Sequence, residues 1–286
     1  MTHKLHAGDK KNNPLNANWH QLIKGLTPVD IMKILLLPLV WVMVMFLPFS
    51  IRTQMPLSLH KPSWWQFFTH AFIHRDVEHL MTNLAFLLMV SVALLILANR
   101  ISKKQLLFKT MMFTVLVLPI LMGILAVIIY PTFALRLGRL LGGSLIVSAL
   151  VGFLPMWFIA YFASKTKTNL FSLPALYIPL SAILIVFATI YANHSWRTYP
   201  LLLGLLVLTV SLTQYLPTIR SICKIRFKKE DILEIGLLVL IILFFIAGLI
   251  DLFPKNPVTE SGAVDFFAHY IGLAFGVIVS FLYNMN

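Results

Sequence analysis

Apolar residues in this chain fall into long runs divided by short polar stretches. A helix of about 20 apolar residues spans roughly 30 Å of hydrocarbon. Eight runs reach or approach that length: 31–49, 79–98, 107–130, 141–163, 174–192, 200–216, 232–252 and 263–283. The run 200–216 is the weakest, short enough to be tilted or pushed partly aside. The pattern predicts an all-α polytopic membrane protein of about eight transmembrane helices. A polar tail covers 1–30 and a single transmembrane domain covers 31–286. The tail carries Gly8, the Asn12-Asn13-Pro14 turn and Gly25, and reads as mobile. The loop 50–78 holds Trp64, Trp65, Phe67, Phe68 and Phe72, a set that suits the membrane interface or a plain aromatic belt.

Composition sharpens this picture. The chain has 286 residues, 59% apolar and 12% charged, with mean hydropathy +0.87. Soluble domains carry about a quarter charged residues, so a water-solvated core is excluded. The first run lies behind a polar tail and is followed by many more, which argues for a membrane anchor rather than a cleaved signal. The net charge of +13 is read as lysines and arginines bordering spans, not as a nucleic-acid surface. With the N-terminus inside, 16 of these cations fall inside and 7 outside. That bias predicts both termini in the cytoplasm and Ser144 at the outer end of the fourth span. The single cysteine, Cys223, excludes an internal disulfide and a cysteine-rich metal site. Compact tails and the lack of a transit signal favour a bacterial inner membrane.

Candidate chemistry gathers at three places. In Leu141–Gly152, the small residues Ser144, Ser148 and Gly152 recur in steps of four and share one helix face, suited to close approach by another helix. A serine there ordinarily bonds to its own backbone or packs against a neighbour. In the second span His79 and Asn83 are four apart and share a face near the outer boundary. His70 and His74 repeat that spacing, but without a carboxylate in register they do not argue for a metal. In the last span His269 precedes Gly272 and Gly276 on a small-residue face. An ionisable residue inside a span is a functional candidate, with packing by a cross-helix hydrogen bond as the alternative.

If the two small faces pack together, Ser144 and His269 form a nucleophile and its base. The Ser144 N–H with the side chains of His79 and Asn83 would then hold an oxyanion, each donor typically worth about 3–4 kcal/mol of barrier. Asp265 lies one turn before His269 and is read as serving the helix dipole rather than orienting the imidazole.

These residues resemble the rhomboid family of intramembrane serine proteases. The stretch Trp65–His74 with His79 and Asn83 is similar to the family's first loop and second helix. Gly142-Gly143-Ser144 is similar to its GxSG motif, and Ala268-His269 with Gly272 and Gly276 to its AHxxGxxxG helix. The likeness covers roughly 51–163 and 263–283. It implies a six-helix core plus an extra hairpin, with Ser144 as nucleophile, His269 as base, and His79 and Asn83 as oxyanion donors. It implies membrane-spanning protein substrates, cut near the outer face without a cofactor. Four departures stand out. Leu145 replaces the last glycine of GxSG, and Gln66 replaces the arginine of a Trp-Arg pair. Ser148 stands where many members carry a tyrosine that supports the histidine. Three spans rather than one separate the serine and histidine helices. An odd number keeps those two helices parallel, and 174–216 is read as the added hairpin. The run 232–252 would then be the gating helix beside a lid over 253–262. Two other readings are an inactive relative that binds membrane helices, favoured by Leu145, and a transporter relaying protons through His79 and His269. The second explains neither glycine motif.

Overall fold

A computed structural model describes residues 24–132, 139–190, 198–223 and 266–285, with Gly236, Val239 and the pairs 258–259 and 262–263. Among these residues the helices are α1 (Pro28–Met45), α2 (Phe49–Arg52), α3 (Gln66–Thr69), α4 (Val77–Arg100), α5 (Lys104–Thr132), α6 (Ser144–Thr166), α7 (Leu173–Ile190), α8 (Thr198–Cys223) and α9 (Phe266–Met285). Two-residue strands β1 (Leu57–Ser58) and β2 (Arg139–Leu140) pair antiparallel, as do β3 (Val258–Thr259) and β4 (Gly262–Ala263).

Local chemistry sets the ends. Thr27 and Asp30 form a reciprocal capping box at the start of α1, with Pro28 in its first turn. The helix stops at Met45 rather than continuing to residue 49, because Pro48 disfavours helix in the residue before it and opens a separate turn, α2. Asp76 caps α4 by accepting the His79 N–H at 2.8 Å. The fourth apolar run becomes helical only at Ser144, since Gly142 holds φ +124°.

Six described helices are long and apolar enough to cross a membrane: α1, α4, α5, α6, α8 and α9. The α7 run Leu173–Thr189 is shorter. Most of 232–252 lies outside the described residues, as do residues 1–23 of the tail, Asp265 and most of 253–262. The run 200–216, weakest in the sequence, belongs to the 26-residue α8. Thr209, Ser211, Thr213 and Gln214 dilute its apolar signal, yet Thr209 and Thr213 donate back to the carbonyls of Leu205 and Val210.

The bundle is built around α6, whose membrane-length window is 78% buried. Its most extensive partner is α9, and it also meets α4 and α5. Helix α1 lies against α4, and its buried residues Asp30, Ile34, Pro38 and Trp41 form one stripe facing the bundle. Helices α7 and α8 form a hairpin packed on itself, and α7 leans on α9 with Phe187 edge-on to Tyr270 at 4.6 Å. This is the helical pair read from the sequence as an addition. At the far end from Ser144, Lys104 bonds Asp30 at 2.6 Å and the Gly25 carbonyl at 2.5 Å, tying the start of α1 to the start of α5.

Candidate active site

Helices α6 and α9 touch backbone to backbone at three glycines. A Cβ on Gly272 would sit 2.6 Å from the Leu145 carbonyl oxygen and 3.0 Å from Ser148 Cβ. One on Gly276 would meet the Ala149 carbonyl group, with Ala149 Cα at 3.0 Å. One on Gly152 would meet the Leu273 carbonyl, with Gly276 Cα at 3.2 Å. Residue numbers rise together along both helices, so the two run parallel. No larger side chain fits between them. His269 lies one turn before Gly272, and Ser144 immediately precedes Leu145. The register therefore sets the imidazole-bearing turn of α9 level with the serine-bearing turn of α6. His269 is buried, and Ser144 is half-buried.

The turn before Ser144 is held from the first loop. The Gly142 N–H donates to the His70 carbonyl at 2.9 Å, and β1 fixes β2 just upstream. A Cβ on Gly142 would sit 3.1 Å from His79 Cε1, 3.5 Å from His79 Nε2 and 3.7 Å from Ser144 Oγ. The imidazole and the hydroxyl thus flank one small space that only glycine leaves open. Asn83, one turn below His79 on α4, is buried, and its Nδ2 has no hydrogen-bond partner among the described residues. The first bonds of the α6 ladder run from Ile146 and Val147 to the Gly143 carbonyl. The N–H groups of Ser144 and Leu145 precede that ladder at the positive end of the helix.

The departures from the family pattern acquire physical meanings. Leu145 is 2% exposed and joins a buried cluster with Leu57, Leu118, Met122, Leu140 and Ala268 of α9, while its carbonyl meets Gly272 at the close approach of the two helices. Its bulk therefore does not hold α9 away. Ser148 donates to the Ser144 carbonyl at 2.7 Å and packs under Gly272, where a tyrosine ring would not fit without displacing the helix. Gln66 stitches the first loop: its Oε1 accepts from the N–H groups of Ser58 at 3.3 Å and Ser63 at 3.0 Å, and its Nε2 donates to the Gln54 carbonyl at 3.0 Å. Of the loop aromatics, Trp64 is exposed while Phe72 enters the core.

His70 and His74 are structural neighbours of the site. His70 Nδ1 lies 2.9 Å from the Gln66 carbonyl, and burial pushes the imidazole down to about 4. His74 is edge-on to His79 at 5.2 Å, and burial, with the His79 ring beside it, pushes it down to about 3. Both are neutral near pH 7. Trp41 of α1, which sequence reasoning passed over, is fully buried and edge-on to His74 at 5.0 Å. Its only sequence signal is an aromatic ring in phase with Asp30, Ile34 and Pro38.

The family model described as the Rhomboid domain matches residues 61–213. The match takes in His79, Asn83 and the Gly142–Ser144 turn, and ends before His269. No curated protein and no solved structure matches the chain.

Proposed function

Because this chain belongs to the rhomboid family, we propose that it is an intramembrane serine endopeptidase working through a Ser144–His269 dyad. The observation that carries this reading is the glycine-locked register of α6 and α9, which sets His269 level with Ser144. Ser144 Oγ attacks the carbonyl carbon of the scissile peptide bond as His269 takes its proton. The carbonyl oxygen becomes an oxyanion beside Asn83 Nδ2, His79 and the Ser144 N–H, each donor worth about 3–4 kcal/mol. Collapse of the tetrahedral species breaks the C–N bond, and His269 returns the proton to the leaving amine. Water then attacks the acyl ester by the same route and frees Ser144. Substrates are membrane-spanning proteins cut near the outer face. No cofactor takes part.

Labelling tests the assignment. A fluorophosphonate probe should modify the purified protein, and Ser144→Ala or His269→Ala should abolish modification. Labelling that persists in Ser144→Ala would reject the nucleophile. A folded protein that neither labels nor cuts any transmembrane reporter would instead favour the helix-binding reading. That alternative drew its support from Leu145, whose side chain is now seen packed into the cluster with Leu57 and Met122.

We further propose that the protein sits in a bacterial inner membrane with both termini cytoplasmic. Lys24, Arg100, Lys103, Lys104, Lys165 and Lys167 all lie at or beyond the ends of α1, α4, α5 and α6 remote from Ser144. A fluorescent protein that matures only in the cytoplasm should glow when fused to either terminus; a dark fusion at one end would overturn the orientation.

A further inference from the structure

The two glycines before Ser144 are glycine for different reasons. Gly142 has φ +124°, a conformation that side chains disfavour. Gly143 has φ −75° and ψ −7°, in the right-handed region with negative φ that side chains tolerate. What excludes a side chain at Gly143 is the indole of Trp41. A Cβ there would run into Cζ2 and Cη2 of the ring and lie 2.8 Å from Cε2. Trp41 is 0% exposed although it comes from α1, a helix only 22% buried over its membrane-length window. The same ring is edge-on to His74, and His74 is edge-on to His79.

We propose that Trp41 is a positioning residue for the reaction: a wedge carried by α1 that seats the Gly142-Gly143-Ser144 turn and, through His74, the His79 imidazole. The inference rests on the serine-protease reading for its catalytic meaning, though not for the wedge itself. One rigid ring touches the backbone next to the nucleophile and the histidine that backs an oxyanion donor. Errors of about 1 Å in such placement cost on the order of 100-fold in rate. An indole is flat, stiff and confined to two side-chain torsions, so it transmits the position of α1 with little slack.

A double-substitution cycle tests it. Trp41→Phe removes the outer part of the indole, the atoms that meet Gly143, and retains an aromatic ring against His74. Gly143→Ala alone should slow fluorophosphonate labelling by about tenfold or more, because the new methyl displaces the turn. In Trp41→Phe/Gly143→Ala the methyl has room, and labelling should return to within about threefold of Trp41→Phe alone. Trp41→Phe alone should lower kcat on a transmembrane reporter with little change in KM, since a displaced nucleophile leaves substrate binding intact. Equal losses from Gly143→Ala with and without Trp41 would overturn the wedge, as would wild-type labelling in Gly143→Ala. If the parent protein does not label at all, the protease reading fails separately. The same cycle is then read in thermal midpoints: a drop caused by Gly143→Ala only when Trp41 is present supports the wedge, and an equal drop in both backgrounds overturns it. Should Gly143→Ala fail to fold, recovery of folding by Trp41→Phe or Trp41→Leu counts for the wedge, and failure of both to restore it counts against.

Discussion

Leu145 illustrates how much one residue's meaning depends on where its side chain goes. In the sequence it adds bulk beside a nucleophile; in the fold its side chain joins Leu57, Leu118, Met122, Leu140 and Ala268, and its carbonyl faces Gly272. Its role is packing. Leu145→Ala should cost roughly 2–3 kcal/mol, the low end of buried leucine truncations, because lipid rather than water competes for the apolar surface. A thermal midpoint within error of the parent would contradict that placement. Gln66 was likewise legible as a loop residue but not as a three-bond hub, since its partners at Gln54, Ser58 and Ser63 are revealed only once the loop is folded. Trp41 was legible only as a ring in phase with Asp30, Ile34 and Pro38. A tryptophan in the outer half of a first span gives the same signal as an interfacial aromatic, and nothing local announces that its ring will meet Gly143.

Among the elements, pairing of α6 with α9 is the contact most directly encoded. Gly152, Gly272 and Gly276 were visible as small-residue spacing, and the structure spends all three on one seam. Gly276→Ala should therefore destabilise the protein far more than the methyl's size suggests, since it meets the Ala149 backbone rather than a flexible side chain. We expect loss of about 2 kcal/mol or more together with slowed labelling, because overpacking of this kind typically costs about 1–3 kcal/mol even where neighbours can yield. A fully stable, fully active Gly276→Ala would show the seam to be looser than drawn. Helix ends were harder to read than helix existence. Thr27, Asp76 and Gly142 fix the starts of α1, α4 and α6 through caps and backbone conformation, whereas run length reports only apolar content. The polar residues of α8 likewise made a full span read as the shortest and weakest of the runs.

For the molecule as a whole, acid stability follows from two loop histidines. Burial pushes the His70 imidazole down to about 4 and that of His74 down to about 3 in the folded protein, against 6.5 when solvated. Over that interval the unfolded chain binds more protons than the folded one, so stability rises with pH. The contribution is complete above about 6.5 and drains away as pH falls toward the folded values. Thermal midpoints should decline from pH 6.5 to pH 4, and the decline should flatten in His70→Asn/His74→Asn. An unchanged slope in that double variant would locate the acid sensitivity elsewhere. Asp76 acts lower on the scale: the His79 N–H it accepts holds its carboxyl below the usual carboxylate range, so its share is lost only in stronger acid.

The seam at Gly152, Gly272 and Gly276 also bears on motion. Backbones meshed this closely have no side-chain cushion to shear across, so α6 and α9 travel as one beam. In the proposed reading, hydroxyl and imidazole ride on that beam and stay aligned whether or not a substrate is present. The yielding needed to admit a polypeptide therefore falls to the elements around the beam, and choice among substrates becomes a question of how easily those neighbours part.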